Sequence, residues 1–165
     1  PLKASTGTYP LPEAQVDRFM MKLSMGQLDT QAKLHVMETF MGEHPLLSLK
    51  PVCTAEQIAQ MREAARTVTV HPCIREYIVQ IVEETGKNQG IMIEVSTRAM
   101  LALVRASQCY AAMQGRTYVI PDDVKLLAPC VLAHRLLTYG STKDNNERIQ
   151  EIVATVEVPV EDWKQ

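Results

Sequence analysis

The sequence predicts a mainly α protein: a helical bundle preceded by an extended N-terminal segment that contains a short strand. Three observations predict it. Apolar residues recur at helical spacing, most clearly in Ile74, Tyr77, Ile78, Ile81 and Val82 at i, i+3, i+4, i+7 and i+8. Helix start and stop signals bracket such segments, as Ser96 and Gly115 do. Alternating, strand-like patterning is confined to short stretches, and there is no internal repeat.

The first 30 residues carry Gly7, Pro10, Pro12 and Gly26 and read as irregular around a short helical piece, Pro12 to Val16. Phe19 to Met25 partly alternates and is expected to form a strand, although the remaining sequence barely supplies a sheet for it. The chain starts at Pro1 without Met, and this stretch reads as the middle of something larger. Asp29 or Thr30 caps a helix expected to reach Met41, stopped by Gly42 and Pro45. Thr54-Ala-Glu-Gln57 is a capping box that opens a helix with Ile58, Met61, Ala65 and Val68 on one stripe. Pro72 suits the first turn of the next helix. Gly86 and Gly90 bound a loop, after which Ile91 to Val95 is expected to be extended.

Ser96 caps the longest predicted helix, which runs to Gln114, with Met100, Leu103, Val104, Ser107, Tyr110 and Ala111 as its buried stripe. Arg116 to Ile120 is a short β-like connection. Pro121-Asp122-Asp123 opens another helix, its acids placed against the positive helix end. Pro129 is expected to kink it or divide it into two short helices ending about Leu137. A polar loop at Gly140 to Asn146, a last helix over Asp144 to Val153 and a strand over Ala154 to Val160 complete the reading.

Composition narrows the function. Among 165 residues, 17 Lys and Arg stand against 19 Asp and Glu, and 46% of residues are hydrophobic, which excludes intrinsic disorder. Four Cys at 53, 73, 109 and 130 are too few and too spread for a disulfide scaffold, and none sits in C-x-x-C. No apolar run approaches the roughly 18–20 residues of a membrane span, and no signal peptide pattern is present. A reduced, soluble, cytoplasmic domain is expected. Charges of both signs alternate along the helices without a basic stripe, so no nucleic-acid partner and no membrane partner are expected. The four His (35, 44, 71 and 134) are mutually distant, so no metal site is expected. Gly86-Lys87 lacks the G-x-x-x-x-G-K-[ST] pattern, so nothing here cradles a triphosphate by itself.

Arg98 stands out. It follows the cap Ser96 by two positions, where the helix macrodipole and free N–H groups already present positive potential. A cation there is either solvated or placed beside an anion, and guanidinium with a helix N-terminus is a sound phosphate-binding pair. Arg105 lies two turns along on nearly the same face. Arg18, in Gln-Val-Asp-Arg-Phe, has no i,i+4 partner that would explain it.

Specific strings then matter. Thr8-Tyr-Pro-Leu-Pro-Glu-Ala-Gln-Val-Asp-Arg-Phe-Met20 closely resembles the G-T-Y-P-L-P-E-A-Q-L-D-R-F stretch of MoxR-type AAA+ ATPases. The resemblance continues through Pro51-Val-Cys-Thr-Ala-Glu-Gln-Ile58, Ser96-Thr-Arg-Ala99, Gly115-Arg-Thr-Tyr-Val-Ile-Pro-Asp-Asp-Val124 and His134-Arg135. Thr97 stands where many members have Pro, and Gln27-Leu28 where they have Tyr-Pro at the hinge.

The resemblance implies that residues 1–28 are the C-terminal remnant of an AAA+ core and residues 29–165 a helical lid domain with a short C-terminal strand. It implies ATP and magnesium as cofactors of an intact parent whose Walker A and B motifs lie upstream, with neither bound by this chain alone, which is expected to be inactive by itself. Arg98 takes the place of the sensor-2 arginine on the ATP phosphate, with Arg105 as a further candidate. Arg18 takes that of an arginine finger acting in trans. Implied partners are further copies in a homo-oligomeric ring, commonly a hexamer, and a von Willebrand A domain protein. The implied work is client remodelling or metal insertion. The alternatives are the lid of a magnesium-chelatase-type ATPase subunit and a stand-alone helical interaction module, since Arg116 to Leu127 also resembles the end of a histone fold.

Overall fold

The computed structural model describes residues 11–42, 44–88, 90–93, 95–138 and 144–159. It divides into two compact units, one formed by residues 1–22 with 63–165 and one by residues 23–62.

The larger unit is a helical bundle. Its helices are α1 (Glu13–Val16), the last turn of α3 (Ala55–Arg66), α4 (Pro72–Lys87), α5 (Thr97–Met113), α6 (Pro121–Leu132) and α7 (Asn145–Thr155). β1 (Ile91–Ile93) pairs antiparallel with β2 (Leu137–Thr138), Ile91 opposite Thr138, and forms the extended stretch expected after Gly90. The predicted α4 face is buried as read, and Thr85 joins it. On α5 the buried face is Ala99, Leu103, Ala106, Ser107, Gln108 and Ala111, so the helix is rotated from the expected stripe, leaving Met100, Val104 and Tyr110 half-buried. α6 packs on α5, α4 and α7, contributing Val124, Ala128, Val131 and Leu132 to the core.

Two short connections complete this unit. Thr69 forms a bridge with Tyr118, its N–H donating to the Thr117 carbonyl and its carbonyl accepting from Val119, which realises the β-like reading of 116–120. Asn145 donates through Nδ2 to the carbonyls of Ala133 and Leu136, both at 3.1 Å, and so ties the start of α7 to the turn that follows α6.

In the smaller unit, α2 (Thr30–Met41) is capped by Asp29, whose Oδ1 accepts from Ala32 N–H at 2.7 Å. The capping box of α3 is present: Thr54 N–H donates to Gln57 Oε1, and Gln57 N–H to Thr54 Oγ1. α2 buries none of its residues. Ile58 and Met61 of the predicted α3 stripe are exposed, whereas Ala65 and Val68, in the larger unit, are buried.

Three expectations are corrected. Phe19 to Met25 is no strand: residues 19–20 bend, residues 21–25 carry no regular structure, and no described strand lies beside them. Alternation alone cannot hold a strand without a partner ladder. Ala154 and Thr155 continue α7, and residues 157–159 form no strand; Val160 lies outside the described residues. Pro129 does not divide α6 into two helices, the alternative to a kink: α6 runs through it to Leu132 before a 3-10 turn at Ala133–Arg135. Proline costs about 3 kcal/mol inside a helix, and the buried residues on both sides of it, Ala128 and Val131, offset that locally.

A buried ion pair fixes the connection into α6. Arg116 donates to both oxygens of Asp123, Nη2 to Oδ1 at 2.6 Å and Nη1 to Oδ2 at 2.8 Å, while Ile120 N–H donates to Oδ2 at 3.0 Å. The Asp123 side chain is 2% exposed. The hydrogen bonds from Arg116 hold its guanidinium above the usual arginine range. Asp123→Asn, which removes the charge beside Arg116, is expected to lose about 3 kcal/mol of unfolding free energy in a urea titration.

Candidate functional site

The N-terminal end of α5 is built by a cap. Ser96 is extended, and its Oγ accepts from Ala99 N–H at 3.3 Å. The rotation set by buried Ala99, Leu103 and Ala106 turns Arg98, Leu101, Arg105 and Cys109 to solvent along the opposite face. The α5 first turn has no acidic residue. Its negative partner comes from far along the chain: Asp17, in the turn after α1, accepts the Ser96 hydroxyl on Oδ1 at 2.9 Å and lies 3.5 Å from Arg98 Nη1 through Oδ2.

The same turn meets the end of α6. Asp17 Oδ1 is 3.5 Å from Arg135 Nε, whose side chain is 2% exposed. The Nε contact is an ion pair rather than a hydrogen bond. Arg135 also donates Nη2 to the Phe19 carbonyl and Nη1 to the Val131 carbonyl. Burial lowers the Arg135 pKa, and Asp17 opposes that shift. Lys22 N–H donates to the Cys130 carbonyl at 2.8 Å, which extends the attachment by one more peptide.

The sequence-predicted residues are therefore placed as follows. Arg98 faces the Asp17 carboxylate, and Arg18 is the next residue along the chain from Asp17. Arg18 is exposed, and its guanidinium has no partner among the described residues. Arg105 does not join them; its Nη1 donates to Gln108 Oε1 at 3.0 Å, and Gln108 in turn donates to the Val68 carbonyl at 2.7 Å. Residue-by-residue reading missed Asp17. The signal was the positive, acid-free start of α5, which demands an anion from elsewhere in the chain.

His134 completes the arrangement. Its Nε2–H donates to the Phe19 carbonyl at 3.2 Å, and its Nδ1 is buried without a hydrogen-bond partner. Burial lowers its pKa from 6.5, the Phe19 carbonyl opposes that, and Arg135 and Lys22 push it further down. Among the described residues, no group of three or more His, Cys, Asp or Glu could hold a metal ion. None of the described helices is long and apolar enough to cross a membrane.

Comparison with known proteins agrees with this architecture. Residues 83–156, from the C-terminal part of α4 to the residue after α7, match the AAA lid domain model. The YeaC protein of Bacillus subtilis is 39% identical over 159 residues, covering 94% of this chain and 50% of that protein. The chaperone MoxR1 of Mycobacterium tuberculosis is 33% identical over 166 residues, covering 93% and 44%. The crystal structure of a candidate ATPase of Cytophaga hutchinsonii superposes with a TM-score of 0.87 at 29% identity, covering 96% of this chain and 52% of that one. The helical bundle with its capped α5 defines a lid-bearing segment of the AAA+ class. Within that class the chain is similar to the MoxR proteins along most of its length. It spans about half the length of the curated relatives it matches.

Because the folded pKa of His134 is lowered, the unfolded chain binds more protons below about pH 6.5. The stability that neutral His134 contributes is full above that value and declines as the pH falls toward the lowered one. Urea midpoints measured between about pH 7 and pH 5 are expected to fall less steeply for His134→Gln than for the wild-type chain.

Proposed function

We propose that this chain is the nucleotide-sensing lid portion of a MoxR-type AAA+ ATPase. The observation that carries the reading is the pairing of a capped helix N-terminus with an exposed guanidinium, Arg98, whose side chain is 62% exposed. That combination suits a phosphate: the first-turn N–H groups and the helix dipole favour negative charge, and guanidinium binds it bidentately. The free N–H groups in the first turn of α5 and Arg98 would hold the terminal phosphates of ATP. Residues outside this chain would hold the rest, since no G-x-x-x-x-G-K-[ST] occurs in it. Bound ATP with magnesium supplies the phosphoryl group whose transfer to water releases free energy. Arg18, exposed and without a partner among the described residues, is the arginine that would reach the nucleotide of a neighbouring copy.

In this reading the intact protein works as a ring, commonly of six copies, in the cytoplasm. Its client remodelling or metal insertion, and a von Willebrand A partner, are supported by the MoxR resemblance alone. In the longer ATPase carrying this segment, Arg98→Ala is expected to lower turnover by about ten- to a hundred-fold with an unchanged melting temperature; unchanged turnover would remove the sensor role. Mixing Arg18→Ala subunits with subunits that cannot bind nucleotide but keep Arg18 is expected to restore hydrolysis at the mixed interfaces. Absence of that recovery in a steady-state phosphate-release assay counts against action in trans.

A further inference from the structure

A carboxylate, Asp17, precedes Arg18 in the chain and faces Arg98. Asp17 serves three partners from two elements: the Ser96 hydroxyl and Arg98 at the start of α5, and Arg135 in the turn after α6. Two residues on, the Phe19 carbonyl takes donors from both His134 and Arg135. Arg18 therefore lies between two anchored residues, and its backbone position is set by Asp17 and Phe19 rather than by its own side chain.

The partners of Asp17 differ in how firmly they are held. Arg135 is 2% exposed and tied by hydrogen bonds to Phe19 and Val131. Arg98 is 62% exposed and 3.5 Å away, the kind of ion pair that contributes little net stability. Arg98 is the partner free to leave. Ser96 and Arg135 are enough to keep Asp17, and with it the Arg18 turn, in place when it does.

We propose that Asp17 is a positioning residue that couples the two arginines: it holds Arg98 when no anion is present, and keeps the Arg18 turn against α5 and Arg135 when Arg98 engages a phosphate. The inference rests on the nucleotide reading of Arg98 and Arg18 above. Asp17 and phosphate compete for one guanidinium, so removing the Asp17 charge eases nucleotide binding. The same change loosens the turn that carries Arg18 and slows hydrolysis at the neighbouring copy. Affinity and turnover then move in opposite directions, which a merely structural lesion does not produce.

The test uses the longer ATPase carrying this segment, with a non-hydrolysable ATP analogue and magnesium for affinity, steady-state hydrolysis for turnover and a thermal melt for folding. Asp17→Asn is expected to tighten analogue binding by about two- to five-fold and to lower kcat by about ten- to a hundred-fold. Asp17→Asn in an Arg98→Ala background is expected to show no tightening. Asp17→Glu, which keeps the charge, is expected to restore wild-type affinity and part of the turnover. The proposal is overturned if Arg98→Ala impairs the enzyme while Asp17→Asn leaves affinity and kcat unchanged, or lowers both in step with the melting temperature. If Asp17→Asn does not fold, Asp17→Glu is read alone: wild-type affinity with reduced kcat supports the coupling, and wild-type values for both overturn it. If Arg98→Ala changes neither affinity nor turnover, the nucleotide reading itself fails, and the coupling fails with it.

Discussion

The rotation of α5 about its own axis is the constraint on which the candidate site depends. Ala99, Leu103, Ala106, Ser107 and Ala111 are buried together, and α5 packs most extensively on α6. Small side chains on both helices, Ala106 and Ala111 on one and Ala128 on the other, leave little room for a shift of register before core volume is lost. Gln108 adds a directional lock through the Val68 carbonyl. With that face committed to the core, Arg98 and Arg105 have only the outward side of the helix left to them. The exposure of Arg98 is therefore a consequence of apolar packing several residues away.

Two helix starts in this bundle meet the same electrostatic demand in different ways. α6 satisfies its own: Asp123, three residues past the cap Ile120, takes the Ile120 N–H and a bidentate arginine from the preceding connection. That pair is local, with the Asp123 carboxylate buried. α5 has no acid in its first turn and borrows Asp17 from about 80 residues upstream. A local pair makes a firm joint within one element, whereas a long-range pair makes the position of one segment depend on another. Charge at the α5 end is thus tied to the placement of residues 17–22, and charge at the α6 end is not.

Much of the fold was legible because its signals are local. The Ser96 cap, the Thr54–Gln57 box, the stop at Gly115 (φ +73°) and the apolar stripe of α4 each depend on residues within a turn or two of one another. What was not legible depends on distant partners. Phe19 to Met25 alternates as a strand does, but a strand is a property of a ladder, and here the Phe19 carbonyl finds His134 and Arg135 and the Lys22 N–H finds Cys130 instead. The residue after α7 was misread for a similar reason: alternation in Ala154 to Val160 coexists with a helix that simply runs two residues further than expected. The division offered at Pro129 does not occur, with buried residues on both sides of the proline. Arg98 was legible as an anomaly of position. Its carboxylate partner was not, since no spacing rule links residues 17 and 98.

The unit formed by residues 23–62 carries a different physical lesson. α2 has twelve residues and buries none of them, and Leu34, Met37, Phe40, Met41, Leu46, Leu47, Leu49 and Val52 are all exposed. A helix of that length is marginal in water on local hydrogen bonding alone. Its start is held by the Asp29 cap, while its apolar side chains face water rather than a core. Oily surface of this extent sets the colloidal behaviour of the chain. As concentration rises, molecules gain more by bringing these patches together than by keeping them wet, so solubility is limited by the segment that contributes least to the core.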